Sequence, residues 1–344
     1  MERRNFLSLL AAGSLSIPVM TKAGPVMSSP GNKAMTYRSF LQSVRAQAIA
    51  RNVPEYVIEQ ALMSLSAPNQ KVLDRSRHQP EFTLTWEQYQ QRVLGAQRFQ
   101  KGVQTYSEVS KILEPIAQQY QCDSSIIMGI WGLESSFGQT QGKFNVIDAL
   151  ASLAYAGRRK KFFRSELLKA LTILGRGDIS PELMLGSYAG AMGQPQFMPS
   201  AYLRFGADGN GDGKKDIWNS LPDVFASIAN YLSHSGWKFG QPWGEQVIVP
   251  IGEDGRFVSL GSKNYKQAQS RSISEWVSLG VTRPDGSALD ETLPSARLIQ
   301  PDGAGTEAFL AYSNFRAIRA YNPSDYYALA VGILGQRSTE LRSF

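Results

Sequence analysis

Helical periodicity dominates the chain from about residue 36 to residue 235, gives way near residue 245 to short strand-like runs, and returns at residue 323. That change of period constrains the fold more than any single residue. Side chains repeat every 3.6 residues on a helix and every two on a strand, so one pattern cannot serve both. Residues 36–67 read as two short helices broken around Asn52, Val53 and Pro54, because proline disfavours helix in the residue before it. Residues 86–120 carry a long pattern from Trp86 through Tyr89, Val93 and Phe99, then a second from Tyr106 to Tyr120. Residues 123–137, 147–155, 163–174, 181–188 and 221–235 read as further helices. Strand character appears at 246–250, 256–260, 296–300 and 307–312, with turn clusters at 252–255 and 301–305 between. The expected class is α+β, mainly α. It comprises a helical region over 36–245, a β-rich insert over 246–313, and a C-terminal helix in 314–344 that returns to the core.

The N-terminus reads as an export signal. Arg3 and Arg4 precede Asn5, Phe6 and Leu7, and a mostly apolar run continues to Met20. This run suits a signal-peptide core and is shorter than the ~20 residues that span a bilayer. The arginine pair resembles a twin-arginine signal, with cleavage expected after Ala23; an uncleaved anchor is the other reading. The expectation is therefore an exported, periplasmic protein without a stable membrane anchor. Cys122 is the only cysteine, so no intramolecular disulfide can form, and none follows the signal core to carry a lipid. Cys122 is expected to be a small buried hydrophobe. His78 and His234 stand far apart and make no metal or nucleophile pattern.

Net charge is +7, and removal of residues 1–23 leaves +5, which favours anionic surfaces. The run Arg158, Arg159, Lys160 and Lys161 could suggest nucleic acid. No helix-turn-helix, zinc finger or aromatic stacking motif accompanies it, so a solvated helix start or loop is the expected reading and nucleic acid is not an expected partner.

Chemistry concentrates in residues 123–138 (DSSIIMGIWGLESSFG), with Asp123 as a good N-cap and Gly138 as a good terminator. Ile127, Ile130, Trp131 and Glu134 fall at i, i+3, i+4 and i+7, which puts Glu134 on the apolar stripe. It also lies in the last turn, where the helix dipole disfavours negative charge. Burial and dipole both favour a protonated carboxyl near neutral pH, as a general acid for a glycosidic oxygen requires. Taken alone, a glutamate at a helix end that reaches water explains the position as well. A second segment, residues 186–200 (GSYAGAMGQPQFMPS), has small residues that permit close backbone approach. Ser187 and Gln196 supply polar groups beside that turn, suited to sugar hydroxyls or an acetamido group; a helix-packing Gly-Ala turn is the bland alternative.

These two segments, with residues 229–231 (ANY) and 319–327 (RAYNPSDYY), resemble the B-type lytic murein transglycosylases from about residue 80 to residue 337. The resemblance implies a lysozyme-like helical core, with peptidoglycan glycan strands as the partner. It also implies Glu134 as the catalytic acid, Ser187 and Gln196 as cleft residues, and Tyr89, Tyr231, Tyr321 and Tyr327 as cleft tyrosines. A tyrosine offers a sugar ring an apolar face and a hydroxyl at its tip. Ordinary glycosidases use two carboxylates. No second acid in the matched stretches has a clear claim, and Asp148, at the start of an apolar helix, is expected to be structural. One carboxylate fits the family's non-hydrolytic cleavage, which needs no catalytic cofactor and leaves 1,6-anhydromuramoyl ends. A lysozyme-type peptidoglycan hydrolase and a non-catalytic wall-binding protein are the alternatives.

Asp208, Asn210, Asp212, Gly213 and Lys214 match the first half of an EF-hand loop, with Lys214 contributing its carbonyl. Position 12 is Asn219 where glutamate is expected, and Asp216 at position 9 would act through water. The resemblance implies closure by a later acid, Asp223, across a loop one residue longer than the family's. A structural calcium ion and a metal-free Gly/Asp-rich turn are both open readings.

Overall fold

The computed structural model describes residues 35–77, 84–252, 256 and 258–340. The expected export signal at 1–23 and His78 lie outside the described residues. Helix α1 (Tyr37–Ile49) and α2 (Glu55–Leu62) flank a break at residues 50–54, where Asn52 takes a left-handed φ of 59°. α3 (Gln70–Arg77) follows. α4 (Trp86–Val93) and α5 (Ala96–Gln119) divide the expected 86–120 pattern at Leu94 and Gly95, earlier than the residue pattern suggests. Gly95 is the extended N-cap of α5, so the chain turns there and Tyr106 sits mid-helix. α6 (Ser124–Ser135) is the helix that carries Glu134.

The short β1 (Phe144–Asn145) leads into α7 (Val146–Ala156) and α8 (Lys160–Arg176), and β2 (Leu185–Gly186) pairs antiparallel with β1. The helix expected over 181–188 is absent. Leu183 is 61% exposed and Leu185 38%, so the apolar residues there share no buried face, and the backbone pairs with β1 instead. The run at 158–161 forms the exposed approach and first turn of α8. α9 (Pro199–Phe205) and α10 (Leu221–His234) complete the helical region. Cys122 is fully buried.

The insert is a four-stranded antiparallel sheet of order β3 (Gly244–Val247), β6 (Ala308–Ala311), β5 (Ala296–Ile299) and β4 (Ser270–Arg271), with α11 (Ile273–Ser278) beside it. Trp276 on α11 is fully buried and donates to the Ala296 carbonyl, which anchors the helix to the sheet. The strand expected at 256–260 does not form at 258–260. Finally α12 (Phe315–Tyr321) and α13 (Asp325–Thr339) return to the helical region. The architecture is the expected α+β, mainly α, lysozyme-like one.

Among the described residues the interior divides into three apolar clusters. One joins α4, α5, α6, α10, α12 and α13, a second joins α1, α2, α3, α7, α8 and α9, and a third fills the insert. Tyr321 packs against both helical clusters, so the seam between them passes the matched motifs. α6 and α13 run antiparallel at backbone contact. A Cβ on Gly129 would lie 2.1 Å from the Val331 carbonyl oxygen, and one on Gly335 would lie 2.0 Å from that of Ser125. Only glycine permits this approach, and it delivers the start of α13 to the acid-bearing end of α6.

Candidate active site

Glu134 lies in the last turn of α6 and keeps partial exposure. The Tyr327 hydroxyl, from the first turn of α13, donates to Glu134 Oε1 at 2.7 Å. Burial pushes the Glu134 carboxyl up from 4.5 to about 7, although the Tyr327 hydrogen bond pulls it down. The acid is thus poised where it can give a proton and take one back near neutral pH. Burial and the neighbouring Glu134 raise the Tyr327 and Tyr321 hydroxyls well above the ordinary tyrosine value, so both stay protonated donors.

The chain after Glu134 is held in an unusual shape. Ser136, Phe137 and Gly138 take positive φ values of 52°, 59° and 79° in succession. Ser136, rather than Gly138, is the left-handed C-cap. Two successive non-glycine residues in that region cost energy that the surroundings must offset. α5 supplies two clamps: Arg98 donates to the Gly132 carbonyl at 3.1 Å and Lys101 to the Ser136 carbonyl at 2.6 Å. At the other end of α6, Asp123 is the N-cap residue without a side-chain cap bond; its carboxylate accepts from Trp237 Nε1 at 2.8 Å instead.

The glycine-rich segment faces this turn. Gly186 bridges Met192, Met192 bridges Phe197, and a Cβ on Gly186 would lie 2.1 Å from the Ala191 carbonyl oxygen. Ser187 is 2% exposed, and its hydroxyl accepts from the Ala189 and Ala191 amides at 3.2 and 2.9 Å. Its oxygen therefore organises the turn. Gln196, at a left-handed φ of 54°, donates to the Gln141 and Gly193 carbonyls at 3.0 and 2.8 Å. Tyr321 donates to the Pro195 carbonyl at 2.6 Å, and Tyr231 to that of Ala320 at 2.6 Å. Their rings are 4.7 Å apart, with Phe197 within 5.8 Å of both. Both hydroxyls hold backbone, and the rings pack beside Phe197 at the seam between the helical clusters. Tyr89 stacks on Trp86 at 6.1 Å and lies 5.7 Å from Tyr326.

Arg319 pairs with Asp325, which also accepts from the Tyr265 amide at 2.8 Å; this ion pair fixes the corner between Tyr321 and Tyr327. Asp148 is occupied by Asn69 Nδ2 at 2.6 Å and acts within the fold. Asp302 and Glu307 receive Trp86 donors at the start of α4. The residue pattern gave no sign of Arg98, Lys101 or Gln141; Gln194 stood inside a matched motif, but nothing marked its side chain.

In the loop at 208–214, Asp208 Oδ1 and Asn210 Oδ1 both accept from the Asp212 amide, at 3.3 and 3.1 Å, so these oxygens converge. Loop amides, chiefly that of Gly213, hold the Asp208 carboxyl below its usual range. Asp212 accepts from the Lys214 amide at 2.8 Å. Converging oxygens on an exposed turn suit a calcium ion. Asp223 stands apart: it is fully buried, and its two oxygens accept from the Gly209 and Asp216 amides at 2.8 and 2.7 Å. Asp216 accepts from Trp218 and Asn219 amides, both at 2.9 Å. Among the described residues no three His, Cys, Asp or Glu side chains gather as a metal group. The exposed half of the loop fits a cation, whereas Asp223 closes the loop through hydrogen bonds.

A family model described as a transglycosylase SLT domain matches residues 36–336. The membrane-bound lytic murein transglycosylase B of Escherichia coli (strain K12) is 33% identical over 255 residues, covering 73% of this chain and 66% of the relative, just under two thirds of its length. SltB3 from Pseudomonas aeruginosa, solved in complex with NAG-NAM-pentapeptide, superimposes with a TM-score of 0.82 at 39% identity, over 89% of this chain and 80% of that one. The Escherichia coli lytic transglycosylase Slt35, solved in complex with calcium, does so with a TM-score of 0.70 at 27% identity, over 91% of this chain and 98% of that one. The match takes in the acid-bearing helix, the glycine-rich turn and the tyrosine corner together, and it makes the chain a member of the B-type lytic murein transglycosylase family.

Proposed function

We propose that this chain cleaves the β-1,4 bond between N-acetylmuramic acid and N-acetylglucosamine in peptidoglycan without consuming water. The observation that carries the reading is one carboxyl, Glu134, raised to about 7 by burial and held by Tyr327, while the acids Asp148, Asp302, Glu307 and Asp325 are engaged in the fold. Protonated Glu134 gives its proton to the glycosidic oxygen as the bond to muramoyl C1 breaks, and the N-acetylglucosamine 4-hydroxyl leaves. The acetamido group of the muramoyl residue stabilises the positive centre, as in substrate-assisted glycosidases. Glu134, now a carboxylate, takes the proton of the C6 hydroxyl while O6 closes on C1. The acid is restored and the product ends in a 1,6-anhydro ring. Tyr327 donates to the carboxylate in the second half of this cycle, when its hydrogen bond is strongest.

Tyr89, Tyr231 and Tyr321 line the cleft as ring faces, and Ser187 and Gln196 shape its floor. Asp208, Asn210 and Asp212, with the Lys214 carbonyl, would hold a calcium ion that stiffens the loop; no step of the reaction passes through it. The reading places the enzyme in the periplasm after export. No helix among the described residues is long and apolar enough to cross a membrane. The test is Glu134→Gln. The variant should bind purified sacculi and release no muropeptides; release near the wild-type rate would remove Glu134 from the chemistry.

A further inference from the structure

Gln194 is a buried polar side chain, 6% exposed, in the middle of the glycine-rich segment. Its amide is used on two sides. Oε1 accepts from Trp131 Nε1 at 2.7 Å, and Nε2 donates to the Trp218 carbonyl at 2.8 Å. Its backbone amide donates to the Ile217 carbonyl at 2.9 Å. Burying an amide is costly unless it is bonded, and an aliphatic side chain could fill such a place without that requirement. What the glutamine side chain adds is a direct link from Trp131 on α6 to the 217–218 turn, beside the backbone bond to Ile217 and the bond from Gln141 to Trp218.

Each segment bears on Glu134. Trp131 lies three residues before it, on the same face of α6. The Trp131 carbonyl accepts from the Phe137 amide at 3.3 Å and the Ser135 hydroxyl at 3.1 Å, so the left-handed turn after Glu134 folds back onto Trp131. Gln194 Oε1 also abuts that turn: a Cβ on Gly138 would lie 2.5 Å from it. Trp218 is held from its other side, since its amide donates to Asp216, whose own amide donates to buried Asp223. Gln141 Nε2 donates to the same Trp218 carbonyl at 2.9 Å, and the Gln141 carbonyl receives Gln196.

We propose that Gln194 is a positioning residue for the reaction: it locks Trp131 and the turn after Glu134 to the 217–218 turn, and so fixes where the catalytic carboxyl points. The proposal rests on Glu134 being the acid. Gln194 touches no substrate in this account and acts through Trp131 and Gly138.

The experiment compares wild type, Gln194→Met and Gln194→Glu on soluble NAG-NAM glycan chains, with anhydro ends counted by mass spectrometry. Wild-type activity is the control for the parent reading, and its absence would sink that reading whatever the variants do. Gln194→Met keeps volume and removes both hydrogen bonds. It should lower kcat about tenfold to a hundredfold, the usual cost of losing an orienting partner, with KM within about threefold. Gln194→Glu keeps the acceptor for Trp131 and, assayed at acid pH where its carboxyl is protonated, a donor for the Trp218 carbonyl; there it should recover at least half of the lost kcat on a logarithmic scale. The indole N–H resonance of Trp131 should move upfield in Gln194→Met and stay near its place in Gln194→Glu. Should Gln194→Met fail to fold, the Glu variant and the indole resonance decide: a kcat as low as that of Glu134→Gln with an unmoved resonance overturns the proposal. A folded Gln194→Met with kcat within twofold of wild type, or a loss confined to KM, overturns it as well.

Discussion

Replacing Glu134 with glutamine should make the folded protein more stable at alkaline pH and leave it nearly unchanged at acid pH. The folded carboxyl titrates at about 7, against 4.5 for the ordinary group taken as the unfolded value. Between those two values the folded state binds more protons than the unfolded state, so stability falls as pH rises through the window. The penalty is absent below about 4.5 and fully present above about 7, where the carboxylate is charged in a buried place. At about 1.4 kcal/mol per pH unit the interval bounds the effect at roughly 3 kcal/mol. The partial exposure of the side chain reduces it to about 2 kcal/mol. Glutamine is never charged, and its oxygen can still accept from Tyr327. Urea unfolding of both proteins at pH 4.5 and pH 8 measures the difference. The gain of Glu134→Gln over wild type should grow by about 2 kcal/mol between the two conditions. A gain that does not change with pH, or a loss that deepens at pH 8, would refute the idea that burial holds this carboxyl protonated.

Other consequences are open to direct measurement. Wild-type kcat should fall above pH 7 as Glu134 ionises, and Tyr327→Phe, which removes the bond that favours the carboxylate, should move that alkaline limb to higher pH; a move to lower pH would contradict the assignment. Gly129→Ala places a methyl 2.1 Å from the Val331 carbonyl oxygen and should cost about 2 kcal/mol or more in thermal or urea unfolding, with activity falling as α13 withdraws Tyr327. Calcium at a hundredfold over its Kd should add about 2.7 kcal/mol to unfolding. Asp208→Ala should abolish that gain and also lose the bonds its carboxyl accepts from the Gly211, Asp212 and Gly213 amides, so its metal-free stability is the baseline for the comparison.

Much of this molecule is legible in its residues because the informative elements are long and periodic. α6 announces itself through Ile127, Ile130 and Trp131, and that stripe carries Glu134 into the seam. The β-rich insert is visible at 296–300 and 307–312 because apolar, β-favouring residues are set off by turn clusters. Short elements are less readable. The stretch at 181–188 has the composition of a helix, yet its fate is decided by pairing with β1, a contact that no local pattern encodes. Asp123 has the chemistry of a cap and gives its carboxylate to Trp237, distant in sequence. The clamps Arg98 and Lys101 stand on the ordinary polar positions of an amphipathic helix. Their roles exist only because α5 passes the end of α6. The 208–214 loop shows its ligand spacing plainly, whereas the burial of Asp223, in the first turn of α10, depends on how that helix start packs against the loop.

The central claim is cleavage without water by a single acid. Mass spectrometry of the muropeptides that the mature protein releases from purified sacculi tests it most directly. The account predicts products lighter by one water than the hydrolytic ones, carrying 1,6-anhydro ends. Reducing-end products would contradict it, and would require a second carboxylate or an activated water opposite Glu134.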